Sequence, residues 1–253
     1  MQIRSFLFLS FAVIASAHGE WAILSNASEP GRGGAVHRHV ILENGERSGR
    51  VTVDLAIFST KSCTLQMLPN GGGEDLAQVM KRENCFAGVN GGYFDENFAP
   101  LGLRIVNGRM IAPLRRARLI TGVLFASSRG VQIARTGQFS PRRGISAAVQ
   151  CGPFLVDGRQ PIAGLNGSRS ARRSFAATTI GNRALVGVCS QLSLAELSKM
   201  LATTAFGADL KIERALNLDG GSSTAFWFAR DDGSAFSISE QKPVQDFVGV
   251  VSK

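Results

Sequence analysis

The chain has 253 residues, 28 basic against 19 acidic, for a net charge of +9. That length supports one sizeable core and a single domain. No segment after the N-terminus is apolar for long enough to span a bilayer, and no nucleic-acid motif accompanies the positive charge, so nucleic acid is not an expected partner.

The N-terminus points to export. Arg4 is the only charge in the first seventeen residues, and Ser5 to Ile14 is a short apolar run. Ala15-Ser16-Ala17 follows as a small-x-small cleavage signal. Residues 1–17 read as a signal peptide cut before His18, which makes the mature protein secreted or periplasmic. Residues 18–50 carry no clear pattern and read as an N-terminal arm, or as one added strand around His39 to Leu42.

From Val51 the chain reads as hairpins. Val51 to Phe58 alternates as a strand, and Thr64 to Leu68 forms another. Pro69-Asn70-Gly71-Gly72-Gly73 breaks the chain as a flexible turn. Glu74 or Asp75 starts a short helix to about Arg82. Leu101 to Val106 and Arg109 to Ala112 flank Asn107-Gly108, a strong hairpin signal. Val123 to Phe125 and Val131 to Ala134 flank an Arg-Gly turn. Ile145 to Gln150 and Phe154 to Val156 are strands, and Asp157-Gly158 turns into Arg159 to Ile162. Phe175 to Ile180 and Ala184 to Cys189 form a further hairpin. Ser193 caps a helix to about Ala202, with Glu196 at the capping-box position. Ala215 to Leu218, Ala225 to Phe228 and Val248 to Val251 complete the strands. The implied fold class is α+β, a single domain over residues 51–253. Its core is a large mixed, mostly antiparallel β-sheet, rich in hairpins, with a few flanking helices.

Four cysteines in an exported chain suggest two disulfides. Three connectivities are open. Cys63–Cys85 with Cys151–Cys189 is the expected one, because the second pair would tie predicted neighbouring strands. The cysteine spacing does not suit zinc.

The stretch Asn217-Leu218-Asp219-Gly220-Gly221-Ser222-Ser223-Thr224 carries the most chemistry. It sets one carboxylate at the end of an apolar strand, beside glycines that admit close approach and hydroxyls that donate. Alone it reads better as an Asp-Gly turn with small residues packed beneath it. Three other segments share its character: Asn90-Gly91-Gly92-Tyr93-Phe94-Asp95, Gln150-Cys151-Gly152-Pro153, and Arg172-Arg173-Ser174-Phe175. In this order the four resemble the phosphodiester glycosidase family, which includes secreted bacterial proteins, some tied to exopolysaccharide. The resemblance covers roughly residues 50–250. It implies cleavage between an anomeric carbon and a phosphate-bearing oxygen.

The missing residue types narrow the chemistry. The histidines are His18, His37 and His39, all near the mature N-terminus. A Ser-His-Asp triad or a His-rich metal centre built from the motifs is therefore not expected. Neither a metal nor a cofactor is called for. Carboxylates remain: Asp219, and Asp95 with Glu96 beside it. Glycoside hydrolysis ordinarily uses two carboxyl groups, one of which protonates the leaving oxygen. A phosphate monoester leaves as a stable anion, so one carboxylate can suffice if cations receive the phosphate. The implied roles follow. Asp219 is the main catalytic carboxylate, and Arg173 or Arg172 binds phosphate. Asn90 and Gln150 hydrogen-bond sugar or phosphate. Gly91, Gly92, Gly220 and Gly221 offer backbone donors, and Gly152, Ser222 and Ser223 complete the pocket. Tyr93 or Phe94 forms a sugar platform or packs in the core, and Asp95 is a second acid or a turn cap. The expected partner is a sugar phosphate or anionic glycan, with peripheral contact to an anionic cell envelope. A rival reading is a non-catalytic binder of envelope glycan, or a protein of exopolysaccharide assembly. Asp219 speaks against it, because an anion binder gains nothing from an acid there.

Overall fold

A computed structural model describes residues 21–45, 49–207 and 210–253. The expected signal peptide lies outside these residues. Three sheets are present among the described residues, and every strand pairing in them is antiparallel. The first has eight strands, in the order Trp21–Pro30, Val36–Asn44, Val51–Ser59, Arg183–Leu192, Ala171–Thr179, Ile212–Asn217, Phe154–Asp157 and Gln160–Pro161. The second has five: Arg109–Ala112, Arg104–Val106, Ile145–Cys151, Gly122–Ser127 and Gly130–Arg135. The third has Ala235–Ile238, Phe226–Ala229, Ala87–Asn90, Asp246–Ser252 and Cys63–Pro69.

The three sheets face one central core. Strand alternation sorts the side chains. Ala56 and Phe58 point into that core, with Val149, Leu216, Phe226 and Val248 from the other strands. Val51, Val53, Leu55 and Ile57 point the other way, under a helix. That helix, Leu194–Thr203, starts at Ser193 through the expected capping box with Glu196. It presses Leu197, Met200 and Leu201 onto the eight-stranded sheet. A second helix, Leu76–Arg82, is capped by Asp75 and Gln78 and covers the third sheet with Val79 and Met80.

Two expectations change. Residues 18–50 are not a loose arm: where described, they form the two long strands Trp21–Pro30 and Val36–Asn44. Trp21–Pro30 is an edge strand with only Trp21 buried, so its sequence has no alternation to reveal it. The disulfides are also absent: all four cysteines are buried thiols. Cys63 faces the central core while Cys85 faces the cluster under helix Leu76–Arg82. Cys151 and Cys189 likewise belong to cores on opposite faces of the eight-stranded sheet. A strand's two faces cannot be bridged without moving backbone. Burial pushes the Cys85 and Cys151 thiols up to about 12. We therefore expect a thiol reagent at neutral pH to leave the native protein essentially unmodified and to titrate all four cysteines once it is unfolded. Fewer than four thiols in the unfolded, unreduced chain would contradict this arrangement.

Candidate functional site

The site forms where the three sheets meet. Strand Ile212–Asn217 runs on through Leu218 to Asp219. Leu218 N–H donates to the Ser174 carbonyl at 2.8 Å, on the neighbouring strand. Asp219 N–H donates to the Gly91 carbonyl at 3.1 Å, just past strand Ala87–Asn90. Asn90 Nδ2 donates to the Asp219 carbonyl at 2.8 Å. The Asp219 backbone is thus fixed from both sides.

Asn90 is a buried clip. It is 0% exposed, and its Oδ1 also accepts from Ser174 Oγ and from Ala225 N–H. Gln150 is 0% exposed too. Its Oδ-type role is taken by Oε1, which accepts Leu103 and Arg115 N–H at 3.0 Å each, while Nε2 donates to the Arg115 and Ile120 carbonyls. Neither amide can reach a sugar, which corrects the expectation for both. Gly91 and Gly92 are corrected as ligand donors as well. Gly91 N–H donates to the Asp246 carbonyl and Gly92 N–H to Asp246 Oδ1. A side chain at Gly91 would collide with the Asp246 carboxylate, and one at Gly92 with the Arg104 guanidinium. These glycines are required by close packing.

After Asp219 the chain makes a one-turn 3-10 helix, Gly221–Ser223. Gly221 has φ of +65°, a left-handed conformation suited to glycine. Gly220 N–H donates to Asp219 Oδ1 at 2.8 Å, so this donor serves the carboxylate. Ser223 Oγ also hydrogen-bonds the carboxylate. The first N–H groups of a helical turn have no partner within it, and those of Gly221 and Ser222 have no backbone partner among the described residues. Arg172 holds this turn in shape, donating from Nε to the Gly221 carbonyl and from Nη2 to the Thr224 carbonyl. Arg173 behaves differently. Its Nε donates to the Leu192 carbonyl and its Nη2 to the Arg169 carbonyl. Nη1 has no partner among the described residues. Arg172 Nη1 is likewise without a partner among the described residues, so both arginines keep a donor for a ligand.

Tyr93 links the groups. Its hydroxyl donates to the Gly152 carbonyl at 2.7 Å and accepts from Asn217 Nδ2 at 3.0 Å. Burial raises its pKa, the Asp219 carboxylate adds to the rise, and the Arg173 guanidinium opposes it. Gly152 contributes its carbonyl to this wall and is itself buried. Asp95 is spent elsewhere: its Oδ1 accepts Asn97 and Ala99 N–H at 2.9 and 3.0 Å, capping its own loop.

Asp219 is partly buried, and desolvation raises its pKa above the ordinary 3.8. Asp246 raises it further, whereas Ser223, Gly220 and Arg104 pull it down. Arg104 and Asp246 were missed in the sequence. They form a fully buried ion pair beneath the Gly91-Gly92 turn. A lone charge inside each of two apolar strands was their only signal.

A model of the phosphodiester glycosidase family matches residues 83–251. An uncharacterised Escherichia coli K12 protein, YigE, is 34% identical over 89 residues, covering 32% of this chain and 35% of that protein. The chain thus matches about a third of that relative's length. Among solved structures, the zebrafish N-acetylglucosamine-1-phosphodiester alpha-N-acetylglucosaminidase catalytic domain, auto-inhibited by its pro-peptide, superposes with a TM-score of 0.64 at 13% identity. That alignment covers 95% of this chain and 85% of that one. A hypothetical protein from Synechocystis gives a TM-score of 0.61 at 15% identity, over 87% and 62% of the two chains. At such identities these structures speak to the fold alone.

Proposed function

The chain belongs to the phosphodiester glycosidase family, and we propose that it hydrolyses the glycosidic C–O bond of a sugar-1-phosphodiester. The products are free sugar and a phosphomonoester. The observation that carries this reading is the Asp219 carboxylate held at a clamped strand end, with the Arg173 side chain packed beside the neighbouring Gly220.

Asp219 sits on a strand end clamped by Asn90 and Gly91, so its carboxylate meets the substrate in one geometry. Its raised proton affinity makes it a stronger base once ionised. It attacks the anomeric carbon or takes a proton from the attacking water. The C1–O bond breaks, and its electron pair leaves on the phosphate oxygen. Water supplies hydroxide to C1 and a proton to the carboxylate; where Asp219 has bonded to C1, that bond breaks as the hydroxide adds and its electron pair returns to the carboxylate. The departing phosphate is received by Arg173 Nη1 and by the unpaired N–H groups of Gly221 and Ser222. Tyr93 offers a partly exposed aromatic edge beside the carboxylate. The apolar run Ser5 to Ile14 and the signal Ala15-Ser16-Ala17 support placing this activity outside the cytoplasm.

Incubation with UDP-N-acetylglucosamine and a panel of α-sugar-1-phosphodiesters in heavy-oxygen water tests the reading. We expect reducing sugar carrying the label. Arg173→Gln should lower kcat/KM about 10–100-fold, for one lost charge-assisted contact to phosphate. Label on phosphate would mean P–O cleavage, and no turnover across the panel would favour a glycan-binding protein.

A further inference from the structure

We propose that the end of the molecule opposite Asp219 carries a second binding site, for an anionic polysaccharide. The strands of the eight-stranded sheet have two ends. Strand Ala171–Thr179 starts with Arg172 and Arg173 at the candidate catalytic site and finishes at Thr178 and Thr179. Six residues separate Arg173 from Thr179, about 20 Å in an extended strand. Its neighbour Ile212–Asn217 runs the opposite way, from Glu213 and Arg214 at the far end to Asn217 near Asp219.

At that far end lies a cavity of about 670 Å³, lined among others by Arg129, Arg183, Arg214 and Glu213. A smaller one of about 270 Å³ adjoins it through Arg129 and is lined also by Arg142 and Arg143. Five arginines therefore meet one carboxylate, Glu213, across the two cavities. Arg214 is paired with Asp157, which lies outside the lining. Arg129, Arg142 and Arg143 are exposed and have no carboxylate partner among the described residues. Three unneutralised guanidinium groups around two cavities that share Arg129 attract a chain of negative charges rather than a single anion.

The remaining lining identifies the kind of chain. Thr60, Gln132, Thr178, Thr179 and Asn182 add neutral hydrogen-bonding groups of the sort that sugar hydroxyls use. Neither cavity is lined by an aromatic residue, so there is no platform on which nucleic-acid bases could stack. Arginines spaced by hydroxyls and amides fit a sugar polymer carrying phosphate or carboxylate groups. Such a site would hold the protein on the polymer independently of turnover at Asp219.

The test uses phosphomannan, a mannan bearing phosphodiesters, with neutral mannan and single-stranded DNA as comparisons. Full-length protein should bind phosphomannan saturably at near-physiological ionic strength and bind neutral mannan far more weakly. The triple variant R129Q/R142Q/R143Q should lose at least about tenfold in affinity, because three charge-assisted contacts go together. Asp219→Asn should bind as the parent does, which also allows measurement without turnover. Hydrolysis of a small soluble sugar-1-phosphodiester should be unchanged in the triple variant, provided the parent shows it; the binding arms stand even if the parent hydrolyses nothing. The proposal is overturned if the correctly melting triple variant binds phosphomannan like the parent, or if Asp219→Asn loses binding equally. It is also overturned if single-stranded DNA binds as tightly as phosphomannan, which would make the site an unselective cationic surface.

Discussion

Arg104→Met should cost about 3–5 kcal/mol of stability, the range for breaking a buried ion pair from one side. At about 2–4 °C per kcal/mol for a chain of this size, the melting temperature should fall by about 6–20 °C. The reason lies in what the guanidinium holds. Arg104 is 0% exposed and sits against Asp246, itself 3% exposed. It also donates to the carbonyls of Tyr93, Leu103 and Gln150 at 3.1, 3.0 and 3.3 Å. Methionine fills much of the volume but leaves the Asp246 carboxylate buried without its cation and three carbonyls without this donor. The double variant Arg104→Met/Asp246→Leu should recover part of the loss, since two apolar groups need no desolvated partner. Recovery will be incomplete, because Asp246 Oδ1 also accepts Gly92 N–H. A urea or thermal melt of all three proteins decides the matter. A single variant that loses less than about 1 kcal/mol would mean that water, not the ion pair, satisfies this region.

The same pair shows where sequence reasoning stops. Hairpins with strong turn signals were legible: Asn107-Gly108 and Gly181-Asn182 both join paired strands. Their periodicity and turn chemistry are local, and so is the capping box at Ser193. Asp219 stood out only because four such segments occur together, since its own stretch alone reads as an Asp-Gly turn. The partners of these residues were not legible, because they are distant in sequence. Asn90 and Gln150 stand in motifs and carry polar amides, so they read as ligand contacts. Both instead satisfy buried backbone groups, Gln150 from Leu103 to Ile120 and Asn90 at Asp219 and Ala225. A buried amide that fixes a catalytic backbone and an exposed one that touches a substrate look alike in a sequence. Face is equally invisible for isolated residues: strand spacing could not say that Cys151 and Cys189 point into different cores.

Asp219→Asn should lower kcat/KM by at least about 10²–10⁴-fold, the usual worth of a positioned acid–base group, and should raise the melting temperature at neutral pH. The two effects have one cause. Burial raises the Asp219 pKa in the folded protein above its ordinary value of 3.8. The fold therefore favours the protonated form relative to the unfolded chain. As pH rises from the unfolded to the folded pKa, ionisation costs stability, and above the folded pKa the full cost remains. Asparagine removes that charge, while its Oδ1 can still accept from Ser223 Oγ and Gly220 N–H. The stability gap between variant and parent should therefore be present at neutral pH and close below about pH 4, where both states of the parent carry the proton. Activity of the parent should follow the opposite course. A reaction that needs ionised Asp219 gains rate as pH rises through the raised pKa, so its acidic limb should lie above that expected for an ordinary aspartate. Melting curves at several pH values, set beside the pH profile of kcat/KM, read both effects on the same group. An Asp219→Asn protein that melts below the parent at neutral pH would show that the carboxylate stabilises the fold, and the case for a desolvated catalytic base would fail with it.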